Sequence, residues 1–331
     1  MKTKNIVAHK VVSFSPFLKN VNDTMEKLFP GVQLEKVPME STEEEKVNAV
    51  RDATILFGDF RQLNRIDRKI IEAAPNLKLI QQPTVGYEAI DVKAASEYGV
   101  PVSNAAGFNS VGVAEHAVMM MLALLKQLPV LHNETIKCNW LQVKCVSEGS
   151  IWELEGRTLG ILGFGLVGRE LAKRAKGFGT RILYNKRNRL TEEEERELGV
   201  EYRSFNDILS QSDILSVHVP LTKETRGLIG KEEIARMKKG AILLNLARGE
   251  VVDTEALAEA VRNGALRGAG VDVFDPEPIE PVNPLIGLEN VVLTPHTAGA
   301  TAESKAKSLR ICFDNIAKVI KGETPVNIVN L

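Results

Sequence analysis

The chain has 331 residues, 44% hydrophobic and 26% charged, with a formal net charge of -1. That length suits two cores rather than one, and the near-neutral balance gives no electrostatic pull toward nucleic acid or an anionic membrane. The longest apolar stretch, Val118 to Leu125, is too short to span a bilayer, and Met1 to Val7 lacks the apolar segment of a signal peptide. Cys138, Cys145 and Cys312 match no metal-ligand spacing and read as reduced thiols of a cytoplasmic protein.

The first third alternates short β runs with helical patterns, which implies a parallel sheet. Asn5 to Ala8, Thr54 to Phe57, Leu77 to Ile80 and Val100 to Ser103 read as strands. Val21 to Phe29, Glu43 to Ala49, Arg68 to Ala74 and Asp91 to Tyr98 read as helices. Asn109 or Ser110 begins a long helix to about Leu128, stopped by Pro129.

A second alternating series starts at Thr158 and predicts six strands: Thr158 to Leu162, Thr180 to Tyr184, Ile214 to Val219, Ala241 to Asn245, Gly268 to Val273 and Val291 to Thr294. Six suit a complete dinucleotide-binding sheet. Thr191 with Glu194 forms a capping-box pattern, and Asp253 caps a helix ending at Asn263-Gly264. The last helical stretch, Ala302 to Lys321, has no strand partner beside it in sequence. It is expected to return to the first domain, which makes that domain discontinuous.

The first of the six strands runs into Gly163-Phe164-Gly165-Leu166-Val167-Gly168 and a helix near Arg169. Gly163 permits the tight turn, Gly165 lets backbone approach a pyrophosphate, and Gly168 allows close helix packing. The second strand ends in Asn185-Lys186-Arg187-Asn188-Arg189, where a carboxylate for the adenosine ribose is usual. Asn185 removes the repulsion toward a 2′-phosphate, and Lys186, Arg187 and Arg189 can pair with it. NADP(H) is therefore favoured, with NAD(H) the alternative.

Three further strand ends deliver Arg248, Glu277 and His296. An imidazole suits proton exchange with a carbonyl or alcohol, a carboxylate orients it, and a guanidinium fork binds a substrate carboxylate. Hydride transfer at a carboxylate-bearing carbonyl uses all three together.

These residues resemble the D-isomer-specific 2-hydroxyacid dehydrogenase family along nearly the whole chain. The resemblance runs through Val85-Gly86-Tyr87, Gly107-Phe108-Asn109, Val113-Ala114-Glu115, the glycine motif, His218-Val219-Pro220-Leu221-Thr222, Asn245 to Gly249, Asp272 to Pro278 and Thr294-Pro295-His296. Within the family, the glyoxylate and hydroxypyruvate reductases are most similar. The resemblance implies an α/β fold in which a Rossmann-type doubly wound sheet is inserted into a smaller flavodoxin-like substrate domain. Residues 1–104 and 299–331 are then the substrate domain, and 105–298 the dinucleotide domain, with a homodimerisation region at 110–151.

The same resemblance gives the Val85 and Gly86 amides to the substrate carboxylate, beside Arg248 and His296. It gives His218, Pro220, Thr225, the Ala247 backbone and Asp272 to the cofactor, and brings Trp140 to a partner subunit. Arg61, on the loop Gly58 to Arg61, would meet a second anionic group in a phosphoglycerate dehydrogenase, and Phe60 an apolar side chain. Glu277 argues against a formate dehydrogenase, whose histidine has a glutamine partner. A dinucleotide-dependent corepressor is the remaining, non-enzymatic reading.

Overall fold

The structure, a computed structural model, describes residues 9–15, 24–25 and 27–330. Two compact units result, one running to Phe108 and resuming at Ala302, the other spanning Asn109–Thr301. Among the described residues, no single helix is long and apolar enough to cross a membrane.

The strands of the first unit are β1 (Lys10–Ser13), β2 (Gln33–Lys36), β3 (Ile55–Phe57), β4 (Leu79–Gln81) and β5 (Val102–Ser103). They form a five-stranded parallel sheet in the order β2-β1-β3-β4-β5. Central strands covered on both faces need continuous apolar runs, and Val11, Val12, Ile55, Leu56, Phe57, Leu79 and Ile80 are all fully buried. The expected strand Asn5 to Ala8 lies outside the described residues, as do Val21 to Asp23 and Glu26 of the expected helix. Strand β2 escapes sequence reading because it is a polar edge, with only Leu34 apolar. The helix Ala302–Ile320 belongs to this unit and packs Cys312, Phe313, Ile316 and Val319 against Val11, Ile55, Phe57 and Leu79.

The strands of the second unit are β6 (Thr158–Leu162), β7 (Arg181–Asn185), β8 (Glu201–Tyr202), β9 (Ile214–Val217), β10 (Ala241–Asn245), β11 (Leu266–Val271) and β12 (Val291–Leu293). They form a seven-stranded parallel sheet, read from one edge as β8-β7-β6-β9-β10-β11-β12. The six expected strands are present, and the seventh, β8, is a two-residue, partly exposed edge. Strand order reverses between β6 and β9, the switch point where open parallel sheets bind ligands beyond their strand ends.

Both caps read from the second half form: Thr191 and Glu194 exchange hydrogen bonds as a capping box, and Asp253 accepts from the Ala256 amide. The helix expected to run to Leu128 instead ends at Leu125. Gln127 turns left-handed, and Leu128–Ile136 starts a new helix with Pro129 in its first turn. Proline there costs nothing, because the first-turn amides have no intrahelical acceptor. At the helix start, Asn109 makes no side-chain cap.

In the first unit, fully buried Asn315 joins three segments. Its Nδ2 donates to Gln81 Oε1 and Ser103 Oγ (both 2.9 Å) and to the Val326 carbonyl, while Oδ1 accepts from the Val326 amide at 2.8 Å. Asn315→Ala strands these partners without water. It is expected to lower the unfolding free energy by about 3 kcal/mol, read from urea denaturation; a loss below about 1 kcal/mol would mean that the network is dispensable.

Candidate active site

Gly163 follows β6 with φ +94° and donates its amide to the Asn185 carbonyl at 2.9 Å. A Cβ here would stand 2.6 Å from the His218 carbonyl carbon, so the turn is pressed against the backbone leaving β9. A Cβ on Gly168 would meet the Gly163 carbonyl oxygen at 2.9 Å, the close helix approach that the spacing calls for. Gly165 differs, since nothing lies within 4 Å of its ideal Cβ position. The helix therefore opens at Leu166, earlier than expected, with Gly165 as an N-cap lacking any side-chain acceptor. An open glycine before uncapped helix amides is a backbone cradle for an anion, and a dinucleotide pyrophosphate fits it. Phe164 turns inward onto Tyr184, with ring centroids 4.6 Å apart, while Leu166 is exposed and Val167 half-buried.

At the end of β7, Asn185 donates Nδ2 to the Arg203 carbonyl at 2.8 Å. Lys186 is half-buried and Arg187 exposed; the Glu224 carboxyl is held below its ordinary value by the Thr222 hydroxyl first, then its own amide, with the Arg187 charge last. Arg189 departs from expectation: it makes a two-pronged pair with Glu195 at 2.8 and 2.9 Å and lies over the Tyr202 ring. Glu195 also accepts from the Tyr184 hydroxyl at 2.6 Å, and that hydroxyl accepts from the Leu190 amide. Burial first, then this bond, pushes the Tyr184 phenol up to about 12. Of the three cations, only Lys186 and Arg187 remain available to a phosphate.

Beyond β9, Thr225 ties its own turn, donating to the Pro220 carbonyl at 2.6 Å and accepting from the Thr222 amide. His218 Nε2 lies 2.8 Å from Ser216 Oγ.

Strand β10 ends in Asn245, whose Oδ1 accepts from the Ala247 amide and whose Nδ2 donates to the Arg248 carbonyl at 2.9 Å. This 2%-exposed side chain clamps the turn that presents Arg248. The Arg248 Nη1 donates to the Ala247 carbonyl. A Cβ on Gly249 would come within 2.2 Å of the Phe274 carbonyl carbon, so Arg248 emerges against the loop carrying Glu277.

Glu277 Oε1 accepts from the Phe274 amide at 3.0 Å, and Oε2 lies 2.8 Å from His296 Nδ1. Burial works to raise the Glu277 pKa, but the His296 hydrogen bond, the Phe274 amide and the nearby Arg248 charge hold it below its ordinary value. With Nδ1 on Glu277, the Nε2 of His296 is the ring nitrogen left for a ligand.

His296 has φ +53°, left-handed for a non-glycine residue. Asp272 secures that turn through three successive amides. His296 N–H donates to the Asp272 carbonyl at 2.7 Å, Thr297 N–H to Oδ1 and Ala298 N–H to Oδ2, both at 2.9 Å. The carboxylate assigned by resemblance to the cofactor is thus already engaged with the histidine loop. The bracing roles of Asn245 and Asp272 escape sequence reading, which gives residue types but not the hydrogen bonds that close between segments.

In the first unit, Asn104 Nδ2 donates to the Val85 carbonyl and the Thr84 hydroxyl to the Gly86 carbonyl, both at 2.8 Å. These bonds fix the loop that presents the Val85 and Gly86 amides. Phe60 is half-buried and tilts against Phe57, with ring centroids 6.4 Å apart. Trp140 is 76% exposed.

Burial pushes the His218 ring down to about 4 from its ordinary 6.5. Between those values the unfolded chain binds more protons, so this contribution is complete above pH 6.5 and lost as pH falls toward about 4. The urea midpoint should therefore drop more steeply over that window in the wild type than in His218→Gln. Equal slopes would show a solvated ring.

A family description, D-isomer specific 2-hydroxyacid dehydrogenase, NAD binding domain, matches residues 118–298. A glyoxylate reductase of Korarchaeum cryptofilum is 43% identical over 265 residues, 80% of this chain and 80% of that one. A D-3-phosphoglycerate dehydrogenase of Archaeoglobus fulgidus is 38% identical over 323 residues, 97% of this chain but 59% of the relative. Among solved structures, the TT0316 protein of Thermus thermophilus superposes with TM-score 0.82 at 32% identity, covering 97% of this chain and 99% of that one. Family description, relatives and superposition agree with one another: the chain belongs to the D-isomer-specific 2-hydroxyacid dehydrogenases, with a Rossmann-type sheet in a two-domain α/β fold.

Proposed function

We propose that this oxidoreductase reduces a small 2-oxo acid, glyoxylate or hydroxypyruvate favoured, to the 2-hydroxy acid, of D configuration where the product is chiral, with NADPH preferred over NADH. The observation that carries the reading is the 2.8 Å contact of Glu277 with His296 Nδ1, beside Arg248 in the unit that holds the glycine cradle. The glyoxylate reductases of similar sequence support the substrate class.

Gly163 to Gly168 would hold a nicotinamide dinucleotide, which when bound would supply the hydride for the carbonyl carbon of the 2-oxo acid. As that carbon is reduced, its oxygen gains negative charge, and His296 donates a proton to it from Nε2. In the reverse direction the neutral ring accepts that proton. Glu277 accepts from Nδ1–H, which fixes the tautomer and favours the imidazolium. Arg248 receives the substrate carboxylate on its planar fork and polarises the adjacent carbonyl. The Val85 and Gly86 amides, on their pinned loop, are proposed by family resemblance as donors to a carboxylate. Pro220, Thr225, His218, the Ala247 backbone and Asp272 are assigned to the cofactor's surroundings.

His296→Ala and Arg248→Ala should each lower kcat/KM by about 10²–10⁴ with an unchanged circular-dichroism spectrum, assayed with glyoxylate, hydroxypyruvate, pyruvate and phosphohydroxypyruvate. Near-wild-type rates in either variant would remove the assigned role. Preference for phosphohydroxypyruvate would instead favour the chemistry named for the Archaeoglobus fulgidus relative.

The NADP(H) preference rests on Asn185, which leaves no carboxylate at the ribose position, and on the available cations Lys186 and Arg187. The double substitution Lys186→Ala, Arg187→Ala should weaken 2′,5′-ADP binding by about tenfold or more, while 5′-ADP binding holds, both measured by calorimetry. Arg189→Ala, already neutralised by Glu195, should change the ratio of the two by less than about twofold. A large effect at Arg189 alone would show that the Glu195 pair opens to the ligand.

A homodimer is the proposed assembly. Exposed Leu128, Ile136, Trp140, Val143 and Val146 cluster within residues 128–146, a dense run of apolar side chains for a monomer surface. The cytoplasm is the proposed compartment, consistent with three free cysteines.

A further inference from the structure

The catalytic reading leaves unused a half-buried histidine of the second unit, His116. His116 lies on the Ser110–Leu125 helix, a core element with Val113, Ala117, Met120 and Met121 all buried. Its side chain is 14% exposed, and Nε2 lies 2.9 Å from Thr294 Oγ1 and 3.8 Å from Asp272 Oδ1. Thr294 Oγ1 in turn donates to Asp272 Oδ1 at 2.5 Å.

The donor count fixes the direction of this chain. A hydroxyl has one proton, and Thr294 spends it on the carboxylate. Its lone pair must then accept from His116, which makes Nε2 the protonated nitrogen of that ring. Burial lowers the His116 pKa, with Asp272 opposing, and the neutral Nε2–H tautomer suffices for the bond. Asp272 Oδ1 thereby receives two donors, the Thr294 hydroxyl and the Thr297 amide, with His116 behind the first. The other oxygen receives Ala298 N–H, and the main-chain carbonyl receives His296 N–H.

We propose that His116 is a positioning residue, acting through the Thr294 hydroxyl to hold the Asp272 carboxylate square to the Thr297 and Ala298 amides and so to aim the His296 ring. It touches neither substrate nor cofactor in this scheme. The helix supplies a rigid base, and the left-handed turn at His296 is what needs holding. Misdirection of a proton donor by even an ångström lowers its rate strongly while leaving ligand affinity nearly intact. The kinetic part of this inference rests on the reductase reading above, whereas the bracing itself does not.

The test uses His116→Ala, His116→Gln and Thr294→Val in the full-length protein. His116→Ala and Thr294→Val are expected to lower kcat about tenfold, with KM for the 2-oxo acid within about twofold. Glutamine, which returns a side-chain N–H donor, should restore most of kcat. The double variant His116→Ala, Thr294→Val should be no slower than either single one, because both break one chain. An unchanged kcat in His116→Ala, no rescue by glutamine, or additive losses would overturn the proposal. Amide hydrogen exchange across residues 294–298 reads the brace without turnover. Faster exchange in His116→Ala and Thr294→Val supports it, and exchange equal to wild type sinks it even if the reductase assignment stands. Wild-type protein inactive on every 2-oxo acid, with the exchange difference intact, would sink the reductase assignment and leave the brace.

Discussion

The second unit is organised around one steric constraint, the pressing of the Gly163 turn against the backbone at His218. No side chain fits between them, since even a Cβ would lie 2.6 Å from a carbonyl carbon. That intimacy lets β6 and β9 pair side by side while their chains leave in opposite senses, which creates the crevice at the switch point. Everything polar that matters in this unit then arrives by the same route. Parallel strands all end on one edge of the sheet, so the residues after β6, β7, β9, β10, β11 and β12 share that edge.

The His296–Glu277 pair is fixed more by hydrogen bonding than by charge. His296 and Glu277 side chains are 49% and 37% exposed, so water screens much of their Coulombic attraction. Directional bonds do the fixing: Phe274 N–H orients one Glu277 oxygen, His296 Nδ1 meets the other, and Asp272 pins the backbone beneath. Such a pair keeps its geometry in water and strengthens when a bound acid excludes that water.

The buried strands were legible because a parallel sheet covered on both faces leaves no room for polar residues, and their apolar runs stand out. Of the three missed strands, Gln33–Lys36 and Glu201–Tyr202 are sheet edges, where one side of the backbone is unpaired and the hydrophobic signal disappears, whereas Lys10–Ser13 lies inside its sheet but offers only Val11 and Val12 as an apolar run. Pro129 was misread for a different reason: proline ends one helix and begins another with equal ease. In the site, the strand-end logic located Arg248, Glu277 and His296 by residue type alone. It credited Arg189 to a phosphate, because a sequence does not display that Glu195, one helical turn into the next element, has already claimed the guanidinium. The contacts around Asp272 reach 22 to 26 residues along the chain, and the His116 contact spans 178, so neither leaves a local pattern.

The left-handed backbone at His296 screens substitutions before chemistry does. Branched side chains such as valine or isoleucine are sterically opposed to φ +53°, whereas asparagine, aspartate and histidine enter this region several-fold more readily than other non-glycine residues. The position thus admits a short palette, of which only one member is an efficient proton carrier near neutral pH. A residue branched at Cβ could not be installed here by exchanging side chains alone; the loop itself would have to leave the left-handed region first.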